Sequence, residues 1–212
     1  IAKDLTWVYD PGIYVNITGL YFVRIPSFGT NKLFCLLTIM NSKIMDLVFK
    51  TFFSTLHMSG GFLRFNGSFI RRLPMPNCFP ESLSYLGKII QFLSQLNYLR
   101  KRNSELGFLK EIYVKDIEKY LKFFKDLANS LVYLLYFKNL NQNYLLLDCL
   151  LKSKDYFPNI QFKYILPRFN TINFKTVRKE ELKENLGKIN NLFSKLAIQP
   201  KLIKEMKNIL KK

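Results

Sequence analysis

Four polar side chains, Arg64, Asn66, Ser68 and Arg72, fall at even spacing in the run FLRFNGSFIRRLPMP, with Leu63, Phe65, Phe69 and Leu73 between them. In an extended chain that alternation puts the polar groups on one face and the apolar groups on the other. Arg, Asn and Ser are the side chains that hydrogen-bond base edges in the major groove, Arg as a planar fork to guanine O6 and N7. Arg71 adds a second guanidinium beside Arg72, and His57 and Ser59 stand in the glycine turn just upstream, Ser59-Gly60-Gly61. Arg24 and Lys50 complete the candidate set of base and backbone contacts, which makes nucleic acid a partner these residue types suit. Phe62 and Ile70 intrude on the polar face, so a strand buried on both sides with a bulge at Gly67 competes with this reading.

Chemistry of other kinds lacks its residues. His57 is the single histidine, which excludes a multi-histidine metal site, and no serine sits in a nucleophile-elbow pattern. Neither a glycine-rich dinucleotide fingerprint nor a GxxxxGK phosphate loop is present. Glu181-Leu-Lys183 and Glu205-Met-Lys207 spell half of a metal-dependent nuclease site. Both lie in helical patterns with no partner strand and read as solvated helix faces.

Charge points the same way as the arginines. The chain has 33 Lys and Arg against 15 Asp and Glu, a formal net charge of +18, which attracts phosphates and gains affinity from counterion release. Lysine-rich codon usage would produce the same total. The distribution is more specific: residues 1–80 hold four Arg and four Lys, whereas the remainder holds four Arg and 21 Lys. Base reading at the front and phosphate holding at the back follow, with Lys201, Lys204 and Lys207 as candidate phosphate contacts.

Those side chains need elements to carry them. Leu33, Leu37, Met40, Ile44, Leu47, Val48 and Phe52 recur at steps of three and four and predict one long helix over 33–53. A strand is expected from 62 to the proline exit at Pro74 and Pro76. Leu83, Leu86, Ile90 and Leu93 follow a Pro80-Glu81-Ser82 helix start, and Ile117, Leu121, Phe124, Ala128, Leu131 and Leu135 form a seam of just over two heptads. Farther on, 146–154 reads as a short helix and 162–166 as a short strand. Glu180–Leu196 and Pro200–Leu210 read as amphipathic helices. The fold class is α+β: a small mixed or antiparallel sheet with a long packed helix in 1–80, long spacer or docking helices in 81–140, and a basic, mostly helical region in 141–212.

The order of these parts resembles a known domain. An apolar helix carrying Asn41-Ser42-Lys43, a glycine turn, a strand with Arg64, then Leu73-Pro74-Met75-Pro76, is similar to the TaqI-like C-terminal specificity (target-recognition) domain of type IIG restriction-modification enzymes and adenine-specific DNA methyltransferases, related to type I specificity subunits. YVNITGLYFVRIPSF at 14–28 matches its upstream strands and SLVYLLYF at 130–137 its following helix, so the resemblance covers about residues 5–140. It implies sequence-specific recognition of double-stranded DNA, and a methyltransferase domain or subunit as partner. S-adenosylmethionine and Mg would belong to the parent enzyme, with no cofactor in this chain. The Asn/Asp-Pro-Pro-aromatic motif of amino-methyltransferases is absent, so the catalytic domain is expected outside this chain.

Two other classes stay open. The seam could bind a partner chain, making this a helical protein-interaction module, and 12 Tyr with 20 Phe could stack the bases of RNA. Apolar runs such as 131–137 are too short to span a bilayer, and Ile1 is followed by no basic-apolar leader. Cys35, Cys78 and Cys149 are odd in number and widely spaced, as for reduced thiols. A cytoplasmic fragment of a longer protein is expected.

Overall fold

The structure, a computed structural model, describes residues 4–10, 21–53, 66–102, 114–137 and 179–211. Seven helices occur among them: α1 Thr30–Met40, α2 Lys43–Phe53, α3 Gly67–Ile70, α4 Glu81–Arg102, α5 Val114–Tyr136, α6 Lys179–Ala197 and α7 Pro200–Leu210.

The single helix expected over 33–53 is two helices. Asn41 turns its side chain back onto Leu37 O (3.0 Å) and outward onto the backbone of Trp7, accepting from Trp7 N (2.8 Å) and donating to Trp7 O (2.9 Å). Such side-chain bonds compete with the helical ladder. Ser42 Oγ then accepts from Met45 N–H at 3.3 Å and starts α2 afresh. Because the register restarts, the seven-residue apolar face does not stay together. Phe34, Cys35, Ile39, Met45 and Phe49 are buried, while Leu47 and Phe52 are 65% and 72% exposed.

No strand or sheet exists among the described residues, so the α+β expectation is corrected to an all-α fold there. Residues 21–25 form neither helix nor strand, and 66–73 form α3 and a turn instead of a strand. The local cause is a cap: Asn66 Oδ1 accepts from Ser68 N–H at 3.0 Å, which closes a helical turn over a stretch whose alternation alone suggests a strand. The strand expected at 162–166 and the helix at 146–154 lie outside the described residues, as do 14–20 and 62–65.

The later helices follow their apolar periodicity. α4 buries Leu83, Leu86, Ile89, Phe92, Leu93 and Leu96, and α5 buries Ile117, Phe124, Leu127, Leu131, Val132 and Leu134. The expected seam on α5 is buried except for half-buried Leu121, and it packs on α4 and α7 of the same chain. α1 crosses α4 closely. Thr38 Oγ1 lies 2.9 Å from both Phe34 O and Leu83 O, and a Cβ at Gly87 would stand 2.4 Å from Thr38 Oγ1 and 2.6 Å from Phe34 O. Glycine at this position therefore sets the distance between the two helices. α6 joins through rings, Phe193 lying 4.8 Å from Tyr120 and 5.0 Å from Phe123, and Tyr120 donates to Asn190 Oδ1 at 2.6 Å. α7 seats Leu202, Met206 and Ile209 in the same continuous core.

Candidate nucleic-acid interface

A short platform carries the arginines. Phe69 stacks on Phe53 at 4.5 Å with the rings 15° apart, which ties α3 to the end of α2. Leu73 is buried, and Tyr136 from α5 donates to Pro74 O at 2.7 Å. Burial pushes the Tyr136 phenol up to about 12, so it remains a donor at any physiological pH. Between these anchors Arg71 and Arg72 are exposed, and among the described residues no hydrogen bond or ion pair holds either guanidinium. A mounted backbone with free planar forks suits bidentate contact to bases or phosphates.

The 21–24 segment passes the same place. A Cβ on Gly67 would lie 3.7 Å from the Tyr21 ring, and Tyr21, Phe22 and Val23 are about half exposed, followed by exposed Arg24. An aromatic edge beside cations is the composition that stacks and neutralises nucleic acid. Within the run YFVRIP nothing marks Tyr21 as a surface group, since Tyr, Phe and Val also make a strand. Only the course of the chain exposes them.

Other expected site residues fall differently. Asn66 uses its side-chain oxygen on Ser68, accepting from both the backbone N–H and, at 3.1 Å, the hydroxyl, so these two groups build the platform. The parity that aligned Arg72 with Asn66 and Ser68 does not apply to a helical turn. Lys50 lies 2.6 Å from Asp4 and 2.6 Å from Asp46. Hydrogen bonds to these two carboxylates hold its ammonium above the ordinary lysine value. With two acids around one cation, Lys50 offers no net positive charge to a phosphate. His57, Ser59 and Arg64 lie outside the described residues.

Lys201, Lys204 and Lys207 are all exposed on α7, opposite the buried Leu202, Met206 and Ile209. No ion pair joins them to a described acid. Glu205 sits on the inner face with Oε2 sealed and unpartnered, and desolvation raises its carboxyl above the usual carboxylate value. The Glu205-Met-Lys207 spacing therefore splits across the helix, with the acid buried and the lysine exposed.

Cys35 is buried and free, its thiol pushed up to about 12 by burial and by the nearby Cys78. A thiol so protonated is a poor nucleophile. Cys78 is free and exposed. Among the described residues no group of three or more His, Cys, Asp or Glu could hold a metal ion, and no helix is long and apolar enough to cross a membrane. Comparisons with family models, curated proteins and solved structures return no match.

Proposed function

We propose that this chain recognises double-stranded DNA as the target-recognition part of a restriction-modification enzyme. Its S-adenosylmethionine-dependent methyltransferase domain would lie outside the chain, and a cytoplasmic setting goes with such a partner. The observation that carries the reading is the pair Arg71 and Arg72, exposed and without an ion-pair partner among the described residues, on a turn anchored by Phe69, Leu73 and the Tyr136–Pro74 bond. It is supported by the net charge of +18. In this mechanism the arginines, with Arg24 alongside, meet the duplex at base edges, and the α7 lysines hold phosphate. The chain supplies no catalytic step of its own.

Fluorescence anisotropy of a labelled duplex, titrated at about 50 and about 200 mM salt, tests the reading. Binding that weakens steeply with salt is expected. Replacing Lys201, Lys204 and Lys207 with Gln lowers the slope of log K against log salt by up to about 0.9 per lost contact, equally for all sequences. Arg71→Ala or Arg72→Ala in the complete enzyme relaxes discrimination at one base position by roughly 1–3 kcal/mol across single-base-substituted duplexes. No binding at low salt, or binding flat across salt, overturns the DNA role. Equal losses on every duplex for both arginine variants overturn the assignment of this platform as the base reader.

A further inference from the structure

Tyr21 rests against the arginine turn with its ring half open. Its Cε1 and Cδ1 atoms lie 3.7 and 3.9 Å from where a Cβ on Gly67 would stand, so one edge of the ring meets the glycine, while the residue is 45% exposed. Arg71 N–H donates to Gly67 O at 3.1 Å, which closes one helical turn between the two residues. Positions four apart in such a turn lie one above the other, so Tyr21 and Arg71 share a side of it. Among the described residues no other ring packs on Tyr21, and its face is open to a ligand.

The charge of this part of the chain has one sign. Residues 11–80 hold seven Lys or Arg and a single acid, Asp46, which is already bonded to Lys50 at 2.6 Å and to Leu5 N–H at 2.7 Å. On α5, which meets the exit of the turn through Tyr136, the nearest acid in sequence is Asp126, ten residues away and so about 15 Å along the helix. An occupant of this side must therefore offer a flat apolar face to the ring and negative charge to the guanidinium. One nucleotide of a strand offers both. In a paired duplex each base has both faces covered by its neighbours in the stack, so only an unpaired base can lie flat on Tyr21.

We propose that Tyr21 and Arg71 form a stacking site for one unpaired base of a DNA strand, the base lying on the tyrosine ring and the Arg71 fork bonding the same nucleotide. The inference rests on the nucleic-acid reading of this platform and adds to it a preference for strand positions that have lost their partner.

Anisotropy titrations of the whole chain compare four labelled probes of equal length: a single strand, the same strand with its bases removed as abasic sites, a paired duplex, and a polyglutamate peptide. The intact strand is expected to bind about tenfold more tightly than the abasic one, which carries the same phosphates. Tyr21→Leu removes that advantage, Tyr21→Phe keeps it, and neither changes the affinity for the abasic strand or the paired duplex. Arg71→Gln weakens binding of the intact strand. Equal affinity of the native chain for intact and abasic strands overturns the proposal, whatever the variants do. So does a Tyr21→Leu loss of the same size on every probe, an unchanged affinity of Arg71→Gln for the intact strand, or polyglutamate binding as tightly as that strand. The two readings fail separately: an absent or salt-insensitive duplex signal removes the duplex reading, whereas duplex binding without a base-dependent advantage removes the stacking site alone.

Discussion

Gly87→Ala gives the sharpest test of the helix crossing on which the fold rests. In an open helix, Gly to Ala is stabilising by about 0.8–1.0 kcal/mol, because alanine has fewer unfolded conformations to lose. At Gly87 the added methyl would stand 2.6 Å from Phe34 O and 2.4 Å from Thr38 Oγ1. Ordinary contact begins at 3.4 Å, so α1 and α4 must part by about 0.8 Å at their closest point. Thr38 would also be pushed from its bond to Leu83 O. Overpacking of this kind costs about 1–3 kcal/mol, which outweighs the helical gain. Gly187 provides the control, since a Cβ there meets nothing within 4 Å. Urea unfolding should therefore show Gly187→Ala with a raised midpoint and Gly87→Ala with a lowered one, at similar m-values. Thr38→Ala added to Gly87→Ala should restore only part of the loss, because the backbone carbonyl of Phe34 remains in the way. If Gly87→Ala stabilises as much as Gly187→Ala, the close crossing of α1 and α4 is refuted.

Two further predictions concern polar groups. Desolvation raises the Glu205 carboxyl in the folded chain, so folding takes up a proton; the stability this brings is full below the unfolded value and is lost as pH rises through the folded one. Glu205→Gln should consequently exceed the native chain in urea midpoint at about pH 7 and converge with it towards about pH 4; a constant gap across pH would refute the sign. Asn41→Ala removes three side-chain bonds that hold residue 7 and the end of α1. Since they are exposed, a loss of about 1–2 kcal/mol is expected, with Trp7 emission shifted to the red; unchanged emission would show that Asn41 does not hold the segment.

Periodicity alone determined most of the helical scaffold. The α4 start at Glu81, the buried seam of α5 and the division of α6 from α7 at Gln199-Pro200 are readable because a 3.6-residue repeat of Leu, Ile and Phe stays in register over three or more turns, and proline marks a new start. The net charge and the exposed face of Lys201, Lys204 and Lys207 are equally local, since cations spaced by three lie opposite an apolar stripe whatever that stripe packs on.

Tertiary structure decided the rest. The apolar run over 33–53 cannot show that Asn41 prefers the backbone of Trp7, 34 residues away, to continuing the helix. The alternating run through 66–73 carries a strand pattern and a helix cap at once, and a strand exists only with a neighbour to pair its backbone. Arg72 and Lys50 are both cations in the sequence. Only the folded chain leaves the first exposed on an anchored turn, with no ion pair among the described residues, and sets the second between Asp4 and Asp46, because ion pairing depends on which distant residues the fold brings within reach.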